Sequence, residues 1–245
     1  MKYVLTIPAF FLMSLSISAQ KDSSNKLGGL FKKASSIFNK SYSSGNLSTD
    51  EIVSGLKEAL SLGTQKSTDK LSAPDGFFKD ATVKILLPKQ VQDIEKKMRM
   101  FGMGELVDNA ILSMNRAAED ASRSAAPIFL SAIKQMTVTD ALNILRGTDT
   151  AATAYLRKTT TPQLTSSFKP IIEESLKKVD ATKYWKDVFT AYNRFSSTPV
   201  ETDINSYVTE KALAGIFHYV AAEEINIRQN PGERVTDLLK KVFAK

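Results

Sequence analysis

Two short stretches carry the side chains best suited to chemistry. SMNRAAEDA, Ser113 to Ala121, sets Asn115, Arg116 and Glu119 among small residues, with Arg123 just beyond. YVAAEEINIR, Tyr219 to Arg228, repeats the Ala-Ala-Glu theme with Glu223, Glu224 and Arg228. Carboxylates from different helices, Glu119 with Glu223 or Glu224, are the residue types of a general acid and base in a metal-independent hydrolase or lyase. At helical spacing, however, Glu119 lies one turn from Asn115 and Arg123, and Glu224 one turn from Arg228, each acid preceding an Arg in the favourable order. The competing reading is structural. Ala117-Ala118 and Ala221-Ala222 let two helices approach closely, and Arg116, Glu119, Glu223 and Arg228 form an interhelical ion network that is costly to break at one partner. Ion networks of this kind perturb titration without being active sites, so structure is the favoured reading and a ligand-holding polar cluster the alternative.

Other chemistries lack their residues. Cysteine is absent and His218 is the only histidine, so thiolate catalysis and zinc sites built from Cys and His are excluded. A Ser-His-Asp arrangement would need that one imidazole, and no nucleophile is identifiable beside it in GIFHYVAAEE; a structural or surface role for His218 is expected. No Walker loop, no glycine-rich dinucleotide turn after a strand and no EF-hand loop occurs, so no metal and no cofactor is expected.

The elements that must position these residues follow from composition and pattern. The chain has 245 residues, 42% hydrophobic and 24% charged, the composition of a globular protein. Residues 1–19 join one Lys to a short apolar run and a small-residue exit near Ala19, which reads as a cleavable signal peptide and not as a spanning helix. With no Cys near that exit, a lipid-anchored N-terminus is not expected. The predicted location is exported, periplasmic or extracellular. Residues 20–46, rich in Ser, Lys, Asn and Gly, read as a flexible basic tether, with Leu27 to Phe38 weakly amphipathic. The formal charge of +7 is spread over short clusters such as Lys96-Lys97 and Lys177-Lys178. Without aromatic and basic residues interleaved, this points to solvation or an anionic envelope partner, and not to nucleic acid.

Residues 47–245 read as a single all-α domain of about eight to ten helices, with at most one short β-hairpin or extended segment near 77–87. Ser48 with Glu51 and Thr137 with Asp140 have capping-box spacing. A helix is expected from Thr49 to about Leu71, loosened at Gly63, and another from Glu105 to Ala125. Thr161-Pro162 reads as the start of a new helix, and Pro170 as a kink or restart. Tyr184, Trp185, Val188, Phe189, Tyr192 and Phe195 predict a core-facing aromatic helix. Asp203 or Thr202 should cap a long helix to Gln229, and Asn230-Pro231 a final helix through Lys241.

Taken in order, LSTDEIVSGLKEAL, DGFFKDATVKILLP, MNRAAEDA, MTVTDALNILRGTDTAATAYLRKTT, YVTEKALAGIFHYVAAEEINIRQNP and ERVTDLLKKVF resemble an uncharacterised family of exported bacterial proteins, DUF4197, a domain of unknown function. The resemblance covers nearly all of Leu47 to Phe243. It implies an α-helical domain behind a signal peptide in the cell envelope, and it transfers no activity, ligand or catalytic residue. Asn115, Arg116, Glu119, Asp140, Glu223, Glu224 and Arg228 occupy its motifs. The function expected is binding of a small ligand, lipid or partner protein in the envelope. Paired-glutamate hydrolysis and a purely structural interaction role are the alternatives, and no membrane span is expected in the mature chain.

Overall fold

The computed structural model describes residues 48–178, 185, 190, 193, 199, 203–230, 232 and 236–242. The expected signal peptide and tether lie outside these residues, as does most of the aromatic stretch, of which Trp185 is helical and buried. Leu47–Lys245 is one compact unit, separate from Met1–Asn46.

Capping fixes where the helices begin. In α1, Thr49–Ser72, the Ser48 hydroxyl accepts the Glu51 N–H at 3.2 Å while the Glu51 carboxylate accepts the Ser48 N–H at 2.8 Å. This satisfies two of the donors a helix N-terminus leaves open. A turn of 3-10 helix at Lys89–Val91 leads into α2, Gln92–Met100, and Gly102, at φ +78, turns the chain into α3, Gly104–Ser122. Next come α4, Ala125–Gln135, and α5, Val138–Arg146, whose Thr137 and Asp140 form the second capping box. Then follow α6, Ala151–Lys177, α7, Ile204–Gln229, and α8, Asp237–Val242. In α7 the Asp203 carboxylate accepts the Asn205 N–H at 3.0 Å.

The protein is all-α, and no strand forms among the described residues. Three readings change. The chain does not restart at Pro162 or kink into a new helix at Pro170, since both prolines lie inside the single helix α6. A proline removes one ladder hydrogen bond and costs about 3 kcal/mol in a helix interior. Here the buried stripe Leu156, Thr160, Leu164, Phe168, Ile172 runs uninterrupted across both sites, and burying such side chains returns about 1.5–3 kcal/mol each. Nor does Gly63 loosen α1, where it is buried and faces α7, with Glu223 Cβ 3.5 Å from where its own Cβ would lie. The last helix begins at Asp237, later than Asn230-Pro231 suggests.

Packing places α3, α4 and α7 between α1 and α6, each of the three touching both. Ala117, Ala118 and Ala121 are fully buried along α3, and the small residues let this central helix sit close to its neighbours. Phe129 and Phe217 meet edge to face at 5.8 Å in the same core. Between α1 and the 3-10 turn the chain makes tight turns over 74–83 and then runs over 84–88 without helix or sheet pairing. Among the described residues no helix is long and apolar enough to cross a membrane.

Candidate functional site

The two Ala-Ala-Glu segments build two separate polar clamps. In the first, Glu119 is 3% exposed, and one carboxylate oxygen accepts the backbone N–H groups of Phe77 and Phe78 at 3.0 and 3.1 Å. The other oxygen accepts Arg116 Nη1 at 2.7 Å, and Arg116 Nη2 donates to Asp75 at 2.7 Å. Asp75 sits in the left-handed region, φ 68, where Asp is among the better tolerated residues. The Lys79 ammonium and then the Arg116 guanidinium hold its carboxyl below the usual range. One turn before Glu119, Asn115 is fully buried. Its amide oxygen accepts the Ile85 N–H at 2.8 Å, and its NH2 donates to the Ile85 and Ile111 carbonyls at 2.8 and 2.7 Å.

In the second clamp, Glu224 accepts the Ala152 and Thr153 N–H groups at 2.9 and 2.8 Å and the Thr153 hydroxyl at 2.8 Å. Thr150, at the N-cap of α6, makes no side-chain cap, so a carboxylate from α7 does that work. Arg228 holds Glu224 through Nε and Nη2 at 3.1 and 2.9 Å and donates onward to the Ile144 carbonyl at 2.9 Å, near the end of α5. One helix start and one helix end are thereby closed from a third helix.

These contacts correct the expected single network. No hydrogen bond or ion pair among the described residues links Glu119 with Glu223, Glu224 or Arg228. Glu223 pairs with Lys66 at 2.9 Å, and Arg123 reaches toward Asp120, 3.8 Å away, and not toward Glu119. The reason is that each buried acid fills its oxygens with N–H groups of a neighbouring connection and a guanidinium from its own helix. Asp140 remains a half-buried capping residue whose carboxyl is held below the usual range by the Thr137 hydroxyl and N–H. A smaller cluster closes the same loop: the Tyr219 hydroxyl donates to Asp80, and Lys70 lies 3.3 Å from Asp80 and 3.9 Å above the Tyr219 ring. Among the described residues no group of three or more His, Asp or Glu is placed to hold a metal ion.

The first clamp, with Asn115 on Ile85, holds the segment that forms one wall of a cleft of about 710 Å³, within the usual size range of small-molecule sites. Residues 82–89 form one side, and Tyr207, Lys211, Ala214, Gly215 and His218, one face of α7, form the other. Gln92 and Pro199 complete the described lining, which contains Lys84, Lys89, Lys211 and His218 and no acidic residue. Glu119 and Glu224 do not line it, so the structure does not gather the two acids at a common surface for acid-base work. The Tyr207 hydroxyl donates to the Leu86 carbonyl at 2.7 Å, and burial pushes its pKa up to about 12, so it stays a neutral donor. Lys84 lies 4.2 Å above the Phe78 ring, and Lys89 has no partner among the described residues.

The sequence reading missed this face of α7. Its signal is Gly215 in the middle of a long helix, a mark of close backbone approach. A Cβ there would stand 2.6 Å from the buried Phe77 ring, so the loop can lie against α7 only because the side chain is missing. Tyr207, Lys211, Ala214 and His218 share the face that this contact defines.

None of the curated proteins and none of the solved structures compared with the chain matches it. A family match covers residues 46–244, almost the whole compact unit. The chain belongs to the family described as protein of unknown function (DUF4197).

Proposed function

We propose that the protein is an exported binding protein of the cell envelope that holds an anionic ligand in the cleft between residues 82–89 and α7. The observation that carries this reading is the charge of the lining: three lysines and the lone histidine, with no carboxylate among the described residues. Cations gathered along one cleft raise its positive potential and favour a negatively charged guest. The N-terminal run and small-residue exit of residues 1–19 support export, and N-terminal sequencing of the recovered chain should begin near Gln20. Native mass spectrometry of the chain purified from its own compartment should find a retained anionic mass that the Lys89→Glu/Lys211→Glu double variant lacks. A bare wild-type chain that binds no added anion would overturn the reading.

A second reading, an interaction protein, draws on the α2–α3 turn, where Met100 and Phe101 are 83% and 78% exposed and Met103 and Leu106 accompany them. It requires a stable oligomer in analytical ultracentrifugation that Phe101→Ser disperses.

A further inference from the structure

The α2–α3 hairpin presents its apolar tip on a fixed backbone. No residue of α2 is buried, and the helix packs against the 3-10 turn and α3. At the turn, Gly102 donates its N–H to the Arg99 carbonyl at 3.1 Å and Met103 donates to the Met98 carbonyl at 2.9 Å, the paired bonds of a Schellman cap, with Gly102 in the left-handed region this motif needs. Arg99 ties the two limbs together, holding Glu95 on its own helix at 3.0 Å and Asp108 on α3 at 2.7 Å. Met100, Phe101, Met103 and Leu106 are thus held out in solvent, the mark of a surface that a partner covers.

Two charges of opposite sign frame this tip. Lys97 lies one turn before Phe101, whose N–H bonds the Lys97 carbonyl at 3.0 Å, and Glu105 stands beside Leu106 in the first turn of α3. Both are exposed, and neither side chain has a partner among the described residues. Nearby, Lys96 pairs with Asp93 and Arg99 with Asp108, so the hairpin offers no excess of positive charge to an anionic bilayer. A protein partner of one sign would leave Lys97 or Glu105 unanswered. The other large apolar side chains exposed among the described residues, Leu86 in the cleft and Val138 at the start of α5, lie on separate elements, so the best match for the tip is the tip itself.

We infer that the chain forms a two-fold dimer through the α2–α3 hairpin, apolar tip against apolar tip, with each Lys97 paired to Glu105 of the other copy. A two-fold axis brings the same patch to both sides and makes every such pair occur twice. The inference rests on the interaction reading and names its partner, a second copy of this chain.

The test is analytical ultracentrifugation of the purified mature chain across the micromolar range. Wild type should show a monomer–dimer equilibrium that Phe101→Ser abolishes. Lys97→Glu and Glu105→Lys should each weaken the dimer by about tenfold, since each reversal sets two like-charge pairs across the axis. The double variant Lys97→Glu/Glu105→Lys should return to within about threefold of wild type, and because it carries both substitutions its recovery cannot come from the fold. A Phe101-dependent oligomer that ignores the reversals, or that grows past the dimer, overturns the two-fold pairing and leaves the interaction reading standing. A chain that stays monomeric at every concentration overturns both, and Phe101-dependent sedimentation of that monomer with phosphatidylglycerol vesicles would assign the tip to a lipid surface instead.

Discussion

Glu119→Gln separates a structural carboxylate from a functional one. The wild-type group accepts two N–H groups at 3.0 and 3.1 Å and a guanidinium at 2.7 Å in a site 3% exposed. An amide in its better orientation keeps the two N–H bonds as neutral ones, losing about 1 kcal/mol from each, since charge-assisted bonds are roughly twice as strong. It then turns NH2 toward the Arg116 donors. That bond is lost, at about 1 kcal/mol after discounting for an Arg116 side chain that is 42% exposed and keeps Asp75. The total is about 3 kcal/mol, which at a urea slope of roughly 2 kcal/mol/M lowers the unfolding midpoint by about 1.5 M. The comparison is Glu223→Gln, whose partner Lys66 has a side chain 57% exposed, and which should cost no more than about 0.5 kcal/mol. A Glu119→Gln midpoint within about 0.3 M of wild type, at unchanged slope, would refute the clamp and return Glu119 to the candidate functional acids.

Arg228→Met removes both guanidinium bonds to Glu224 and the donor to the Ile144 carbonyl, and should destabilise by about 3 kcal/mol in the same urea assay, because it leaves a buried carboxylate without that charge partner. Gly215→Ala should lower the thermal midpoint, because a Cβ meets the Phe77 ring at 2.6 Å, while Gly63→Ala, with ordinary contact at 3.5 Å, should be neutral or stabilising by up to about 1 kcal/mol; the reverse order would refute the close-approach argument. The Tyr219 hydroxyl, followed by the Thr82 N–H and Lys70, holds the Asp80 carboxyl below the usual range. That stability is present above the unfolded pKa of about 4 and is lost as pH falls toward the lower folded value. Asp80→Asn should therefore flatten stability against pH below about 4, and an unchanged acid slope would count against the loop cluster. Burial raises the Glu58 carboxyl, so Glu58→Gln should be neutral or stabilising at pH 7, measured by thermal unfolding.

What was legible in the sequence was local. Capping boxes at Ser48 and Thr137, and the Asp203 cap, need only residues two or three apart, and all three form. Pro162 misled because its cost is local, whereas the stripe that outweighs it is set by packing against neighbouring helices far away in sequence. Asn115, Glu119, Glu224 and Arg228 stood out by type, yet their partners lie 30 to 84 residues away on backbone amides and carbonyls, which carry no sequence signature. The cleft was the least legible part. Its lysines look like ordinary solvated charge until Gly215 brings the 77–83 loop against α7.

The placement of the two glutamates also sets how the backbone opens in time. First-turn helix amides and loop amides ordinarily trade their hydrogens with solvent quickly, having no ladder partner. Here the amides of Phe77, Phe78, Ala152 and Thr153 are held by side chains from helices 41 to 72 residues distant. They can be released only when those helices part. The four should exchange in deuterated water at rates close to those of the buried helix interiors, so the chain's turns and its core open as one cooperative unit.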